Sequence, residues 1–218
     1  QTYVRMKTRY AADILIDVDV QAVAQADMMA AIDQANNDSA VQGIILQLPI
    51  DDASQTEKLC QLIAPEKDVD GLGSSSIYPS ATAQAIDWLL AGYNIELSDK
   101  QIAIVGRGKL VGAPLEKMWQ QRGLNVQVYD KANPATADSL RKCNVIVTAT
   151  GVPRLITSEM IAPEAVVVDA GTASEGGVLV GDVDDAVRRR SDITITPQKG
   201  GVGPLTYAVL FDHLIEAC

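Results

Sequence analysis

The stretch IAIVGRGKLVG at residues 102–112 decides the fold of the second half of this chain. Its four apolar residues predict a buried strand, its glycines predict a Gly-x-Gly-x-x-x-Gly turn, and a helix pattern follows. In a turn between a strand and a helix, such glycines let the backbone approach a pyrophosphate, which the helix N-terminus attracts. Similar glycine triplets occur in ordinary turns, so the flanking strand and helix carry our prediction that Gly106 and Gly108 bind a dinucleotide.

Strand and helix patterns alternate along the chain, which predicts an α/β protein with a parallel sheet. The strands predicted in the second half are 101–106, 125–129, 144–149, 165–169 and 192–196, and its helices are 110–122, 135–142 and 202–217. The strands predicted in the first half are 15–23 and 43–48, and its helices are 2–13, 24–36, 54–64 and 81–91. We therefore expect two lobes, an N-terminal α/β lobe of residues 1–92 plus 205–218 and a Rossmann-type lobe of residues 93–204.

The composition fits a globular protein and argues against several classes of function. Hydrophobic residues make up 47% and charged residues 21%, while a net charge of −10 opposes nonspecific binding to nucleic acid. No apolar run reaches the roughly 18 residues that span a bilayer. A single histidine and three scattered cysteines predict neither a histidine-based metal site nor a disulfide framework. We expect a cytoplasmic protein without metal, membrane or nucleic-acid partners.

The end of the second predicted strand in this half bears on which dinucleotide binds. Asp130 stands roughly 20 residues after the glycines, where an acid accepts both ribose hydroxyls and repels a 2′-phosphate. Lys131 and Arg107 point the other way, because both side chains can hold a 2′-phosphate. An acid at a solvated strand end is the alternative interpretation. NAD and NADP therefore both remain open.

Polar residues within apolar patterns mark the N-terminal lobe. Tyr3 and Lys7 are four residues apart and share a helix face, where burial would lower the pKa of a lysine and suit it to proton transfer. A lysine that snorkels from an amphipathic helix is the alternative. Gln47 interrupts the apolar run IILQL and is either a satisfied polar group or a ligand contact. Asp68 and Asp70 precede a glycine turn, and acids at such a place often have no function beyond the turn itself.

Several stretches together resemble the bifunctional methylenetetrahydrofolate dehydrogenase/cyclohydrolase family over almost the whole chain. The matching stretches, in chain order, are residues 3–7, 43–49, 67–71, 105–107, 111–114, 181–183 and 200–206. Separate matches in the right order are more specific than any single motif. The resemblance implies an enzyme that uses NAD or NADP and tetrahydrofolate as a one-carbon carrier, and that forms a homodimer.

The resemblance also implies roles for particular residues. Lys7 is the catalytic lysine of the cyclohydrolase step, Gln47 orients it, and Tyr3 stacks on the folate. Asp70 binds the pterin and counts with these three as catalytic. The remaining substrate contacts implied by the family are Leu48, Pro49, Gly200, Gly201 and Pro204. The cofactor contacts are Gly106, Arg107, Gly108, Asp130, Lys131 and Thr172.

Some positions depart from the family's pattern. Ser80 and Gly108 replace a cysteine and a serine, residues 130–131 replace His-Ser, and residues 196–201 read TPQKGG where the family has TPVPGG. The first three departures bear on the choice between NAD and NADP more than on binding of the folate. A first strand and helix of the family pattern are also absent before residue 1, so we expect either a piece of a longer product or a shortened fold.

These observations predict oxidation of 5,10-methylenetetrahydrofolate with NAD(P) and hydrolysis of the product to 10-formyltetrahydrofolate. Three alternatives remain. One is a dehydrogenase for another small substrate, of the shikimate or amino-acid type. The second is a noncatalytic, dinucleotide-binding regulatory protein, and the third is a dehydrogenase without cyclohydrolase activity.

Overall fold

The computed structural model describes residues 2–176 and 178–218, without the side chains of residues 2, 3 and 178. Its contacts form two compact units, Gln1–Ala81 with Tyr207–Cys218, and Thr82–Thr206. The helix that we placed in the N-terminal lobe, at Ala81–Gly92, falls almost wholly in the second of these units. The predicted domain bounds at residues 92 and 205 stay a prediction.

The second unit is built on a five-stranded parallel sheet. Its strands are β1 (Ile102–Val105), β2 (Val126–Tyr129), β3 (Val145–Thr148), β4 (Val166–Asp169) and β7 (Thr194–Ile195). They stand in the order β2-β1-β3-β4-β7, so that the chain reverses its direction of winding between β1 and β3. In open α/β sheets, ligands bind beyond the carboxyl ends of the strands at such a switch point.

Helices and a hairpin complete the second unit. The helices are α4 (Ala81–Gly92), α5 (Gly112–Gln121), α6 (Ala137–Leu140) and α7 (Asp185–Arg188), and the antiparallel hairpin consists of β5 (Ala173–Glu175) and β6 (Val178–Val180). Strands β1 and β3 are buried along their whole length, as expected of central strands with covered faces. The predicted fold class, a two-lobed α/β protein with a Rossmann-type sheet, is confirmed.

The described residues of the first unit are helical or irregular. Its helices are α1 (Thr2–Asp13), α2 (Met28–Asn37), α3 (Thr56–Leu62) and most of α8 (Val202–Glu216). Ile32, Ile50, Leu59 and Ile63 form a core, against which alternate residues of the extended run 44–48 pack. Lys67 closes the C-terminal end of α2, because its ammonium donates to the carbonyls of Ala35, Asn36 and Asp38 at 2.7–3.0 Å.

Two predicted strands of the first unit, 15–23 and 43–48, are not formed in the described chain. The backbone hydrogen bonds described for the first run reach only the end of α1, where the amides of Leu15 and Ile16 donate to the carbonyls of Ala12 and Ala11. In the second run, only the amide of Ile44 finds a backbone acceptor, the carbonyl of Lys67 at 2.8 Å. A strand needs a neighbour to share its ladder, and the described residues of this unit supply none. Within those same residues, no helix has both the length and the apolarity to cross a membrane.

Candidate active site

Lys7 and Gln47 meet in the first unit although forty residues separate them. The ammonium of Lys7 donates to Oε1 of Gln47 at 3.2 Å, and Nε2 of Gln47 donates to the carbonyl of Leu48 at 2.9 Å. The second bond fixes which end of the amide faces the lysine. Alternation along 44–48 explains the placement, because Ile44, Leu46 and Leu48 face the core and Gln47 faces away from it.

Asp70 lies close enough to Lys7 for each charge to affect the other. Burial lowers the pKa of Lys7, and the negative charge of Asp70 partly opposes this shift. Burial raises the pKa of Asp70, the charge of Lys7 opposes it, and the neighbouring charge of Asp68 adds to it. Burial therefore favours the neutral form of each group more than water does, as is common for residues that transfer protons.

The loop that carries Asp70 is held by its own backbone. The carbonyl of Asp70 accepts from the amide of Ala81 at 3.0 Å. Gly71 has a φ of +68°, and a Cβ there would collide with the carbonyl of Pro79, so only glycine fits this turn. Buried Asp68 accepts from the amide of Gly73 at 2.7 Å. The acids of this segment thus have different tasks, since Asp68 shapes the turn and Asp70 remains for the site.

A buried histidine, which the sequence reading did not place in the site, supports the same loop. His213 of α8 is 2% exposed, and its Nδ1 donates to the carbonyl of Val69 at 2.8 Å. The ring of Tyr78 stacks on it at a centroid distance of 4.8 Å. His213 therefore anchors the residue before Asp70, and its charge is among those that lower the pKa of Asp70.

For the other predicted folate contacts, the structure gives mainly a position in the fold. Tyr3 lies in the first turn of α1, and its side chain is outside the described residues. Leu48 packs against the core, and exposed Pro49 follows it through a cis peptide bond. Gly200, Gly201 and Pro204 lie at the start of α8 in the second unit, where Gly200 has a φ of +80°. The structure therefore assembles Lys7, Gln47 and Asp70, while the folate roles of the others stay predictions.

The glycine turn of the second unit has the shape that a dinucleotide requires. A Cβ on Gly106, which has a φ of +102°, would lie 2.5 Å from the carbonyl oxygen of Ala149. A Cβ on Gly112 would collide with the carbonyl of Gly106, whereas one on Gly108 would meet no atom within 4 Å. Packing therefore requires the first and third glycines. The middle one faces open space, and its contact with a pyrophosphate stays a prediction.

Loops that follow neighbouring strands meet at this end of the sheet. Gly106 follows β1 and touches Ala149, which follows β3 at the switch point. Gly151 comes next, and a Cβ on it would lie 3.5 Å from the carbonyl oxygen of Thr172, which follows β4. The predicted cofactor residues Gly106, Gly108 and Thr172 thus belong to loops at the carboxyl edge of one sheet.

The charged residues of the predicted cofactor site differ in how free they are. Asp130 uses Oδ1 to accept from the amides of Ala132 and Asn133 at 2.8 and 2.9 Å, which closes the turn after β2. Lys131 is exposed. Arg107 donates two hydrogen bonds to Glu116 of α5. The sequence did not predict Glu116 as its partner.

Two buried acids, also missed by the sequence reading, join the loops after β3 and β4. Asp182 is fully buried, and its Oδ2 accepts from the hydroxyl of Thr148 and the amide of Thr150, both at 2.6 Å. The amide of Asp182 donates to Oδ1 of Asp169 at 3.0 Å, and Asp169 pairs with Arg188. Burial raises the pKa of Asp169, which its backbone bond to Asp182 and the charge of Arg188 oppose.

Comparison with known proteins shows that the chain matches two domain models of a single protein family. Residues 1–70 match the catalytic-domain model of tetrahydrofolate dehydrogenase/cyclohydrolase, and residues 80–218 match the NAD(P)-binding-domain model. The chain belongs to the tetrahydrofolate dehydrogenase/cyclohydrolase family. The bifunctional protein FolD of Exiguobacterium sibiricum is 33% identical over 100% of this chain and 83% of the relative.

Solved structures agree with the family assignment. The bifunctional FolD of Campylobacter jejuni is 31% identical, with a TM-score of 0.91 over 100% of this chain and 82% of that one. The Trypanosoma brucei enzyme, solved with NADP and an inhibitor, is 30% identical, with a TM-score of 0.89 over 100% and 81%. The predicted family, enzyme class and NAD(P)-binding domain are therefore confirmed, and the noncatalytic alternative loses its support.

Proposed function

We propose that this enzyme oxidises 5,10-methylenetetrahydrofolate with NAD(P) and hydrolyses the resulting methenyl cation to 10-formyltetrahydrofolate. The observation that carries the proposal is the cluster of Lys7, Gln47 and Asp70 in the catalytic domain. The glycine turn of the NAD(P)-binding domain, with its open space at Gly108, supports the redox half. Family membership supports both halves.

The dehydrogenase step asks for positioning more than for acid–base chemistry. The methylene carbon between N5 and N10 loses a hydride, and the nitrogen lone pairs stabilise the cation that remains. A bound NAD or NADP would supply the hydride acceptor. The chain's own contribution is to hold the dinucleotide, with Gly106 and Gly112 shaping the turn and the backbone at Gly108 facing the phosphates. Asp182 and Asp169 contribute indirectly by fixing the loops after β3 and β4.

The cyclohydrolase step requires proton transfers, for which Lys7 is suited. Water adds to the methenyl carbon and loses a proton, N5 gains one as its bond to that carbon breaks, and the formyl group stays on N10. Burial lowers the pKa of Lys7, which raises the fraction of neutral amine that accepts the water's proton. Gln47 holds the amine through Oε1, and Asp70 binds the pterin in this proposal.

Activity assays on the purified chain test the two halves separately. With methylenetetrahydrofolate, we expect reduction of NAD or NADP, followed as absorbance of the reduced nicotinamide. With methenyltetrahydrofolate alone, we expect loss of the methenyl absorbance in the absence of any dinucleotide. Oxidation without hydrolysis would favour a dehydrogenase that lacks the second activity. If the folded chain shows neither reaction, the proposed function is wrong.

A homodimer and a cytoplasmic location belong to the same proposal. Val152 and, in the hairpin, Leu179 are exposed apolar side chains, at 47% and 53%, which makes them candidates for contact with a second copy. Light scattering at several protein concentrations tests the dimer, and Leu179→Glu should shift it toward monomer. Fractionation of cells that produce the protein tests the location.

A further inference from the structure

Arg107 of the glycine turn forms an ion pair with Glu116 of α5. Nε of Arg107 donates to Oε2 of Glu116 at 2.7 Å, and Nη2 donates to Oε1 at 3.3 Å, so the carboxylate occupies the guanidinium fork. The arginine side chain is 56% exposed and that of the glutamate 13%. Glu116 stands in the first half of α5, so the helix that begins the phosphate site also carries the acid.

A second acid acts on the same arginine. The hydrogen bond and charge of Glu116 raise the pKa of Arg107, and the charge of Asp130 adds to the effect. The charges of two carboxylates therefore act on one guanidinium, and the nearer one, Glu116, is hydrogen-bonded to it. Asp130 is fixed there by the amides of Ala132 and Asn133.

The space beside the pair is open to a ligand. A groove along α5 is lined by Arg107, Ala113, Glu116, Lys117, Gln120 and Gln121. A phosphate that reaches this groove needs the fork of Arg107 for a bidentate contact. Glu116 occupies the Nε–Nη2 edge of Arg107, so a phosphate can take that edge only if Arg107 leaves Glu116, and the largely buried carboxylate then loses its ion pair. The phosphate and Glu116 thus compete for one binding partner.

We propose that Glu116 is a specificity-determining residue, which weakens binding of the 2′-phosphorylated dinucleotide by holding Arg107. The inference rests on the proposed function, because it concerns the cofactor of that reaction. It predicts that removing the charge of Glu116 frees Arg107 for a 2′-phosphate, with Lys117 as a second cation in the same groove. NAD, which carries no 2′-phosphate, gains nothing from the change.

Binding measurements on the full chain test the proposal without relying on turnover. Titration calorimetry gives Kd for NAD and NADP in the wild type, Glu116→Gln and Glu116→Ala. We expect NADP to bind about tenfold more tightly in both variants, the scale of one charge-assisted hydrogen bond, while Kd for NAD stays within about twofold. The fragments 2′,5′-ADP and 5′-AMP should show the same difference. In Glu116→Ala, adding Arg107→Ala should remove the gain.

The chain offers a matched control in Arg154 and Glu175. That pair is also held by two hydrogen bonds, at 2.6 and 3.3 Å, which Nη2 and Nη1 of Arg154 donate to Glu175 of the hairpin. Glu175→Gln should leave the ratio of the two Kd values unchanged. An unchanged ratio in both Glu116 variants, with wild-type melting temperatures and measurable NAD binding, overturns the inference and leaves the proposed function standing. If the folded wild type binds neither dinucleotide, the proposed function fails and the inference fails with it.

Discussion

The ammonium of Lys7 lies 3.2 Å from Oε1 of Gln47, and the amide of Gln47 is itself fixed by the carbonyl of Leu48. A lysine held by a neutral amide keeps its position without gaining a counter-charge that would stabilise its protonated form. Burial therefore lowers the pKa of Lys7, opposed only in part by Asp70. Position and basicity are set by different neighbours, so they can be tested separately.

Lys7→Met should remove most cyclohydrolase turnover while leaving the protein folded. We expect a loss on the order of 10²-fold or more, because general acid–base catalysis would run through this amine. A half-buried amine with a lowered pKa is disfavoured by folding, so methionine should maintain or raise the free energy of unfolding. Hydrolysis of methenyltetrahydrofolate measures the first effect and urea denaturation the second. Lys58→Met in α3 serves as control, and a wild-type hydrolysis rate in Lys7→Met would show that Lys7 is not the base.

Asp70→Asn should move the pH dependence of hydrolysis to lower pH. The neutral amine of Lys7 is the active form, so kcat rises with pH through the pKa of Lys7 and then levels off. The charge of Asp70 raises that pKa, and removing it lowers the pKa further. The measurement is the pH profile of kcat, with exposed Asp33→Asn of α2 as control. A shift toward higher pH would contradict this account of the pair.

The glycines of the turn should divide into structural and ligand-facing positions. Gly112→Ala places a Cβ against the carbonyl of Gly106 and should lower the free energy of unfolding by about 1–3 kcal/mol. Gly108→Ala meets no atom within 4 Å and should leave stability nearly unchanged, yet weaken binding of NAD and NADP alike. Urea denaturation and calorimetry measure the two effects. Equal dinucleotide affinity in Gly108→Ala and the wild type would mean that the backbone there does not face the ligand.

The Asp182 carboxylate should stabilise the loops at the carboxyl edge of the sheet. Asp182→Ala leaves the hydroxyl of Thr148 and the amide of Thr150 without their acceptor in a buried place, at a cost of about 1–3 kcal/mol for each unsatisfied group. Thr148→Val removes one donor and should make the additional cost of Asp182→Ala smaller. A double-mutant cycle of unfolding free energies measures this coupling. Additive effects would indicate that the bond contributes little.

The centre of the sheet in the second unit could be predicted from the sequence because β1 and β3 are buried on both faces. Such strands read as short apolar runs bounded by turn residues, and the predicted run at residues 144–149 contains β3, Val145–Thr148. The run 43–48 has the same local pattern and forms no strand in the described chain. Apolar alternation is a local property, whereas a hydrogen-bonded ladder depends on what lies alongside. The three-residue strands of the hairpin and the one-turn α7 were too short to show a period.

The candidate site was predictable where a residue is unusual for its own segment. Gln47 stands out in an apolar run and Lys7 on an apolar stripe, and the structure brings these two together. Glu116 and His213 do not stand out within their helices, and their partners Arg107 and Val69 are found only once the chain is folded. Asp182 lies in one of the stretches that resemble the family, but the sequence did not predict its burial or its hydrogen bonds, because these depend on residues distant in sequence.

Asp130 should disfavour a 2′-phosphate independently of Glu116. Asp130→Asn is the appropriate substitution, because the amide oxygen of asparagine can still accept from the backbone amides of Ala132 and Asn133 and preserve the turn. The substitution removes one negative charge where the second strand ends, so kcat/KM for NADP should rise relative to that for NAD. Asp99→Asn, in the loop before β1, controls for the change in net charge.

The effect of Asp130→Asn shows whether Asp130 repels a 2′-phosphate or only closes the turn after β2. A carboxylate near a phosphate in a partly exposed place repels it by about 1–4 kcal/mol, depending on the effective dielectric. Repulsion of that kind weakens as salt is added, so the cofactor preference of the wild type should shift further toward NADP between low and high ionic strength than that of Asp130→Asn. Should the wild type already prefer NADP strongly and Asp130→Asn leave that preference unchanged, the cations Arg107 and Lys131 outweigh Asp130, and the acid serves only to close its turn.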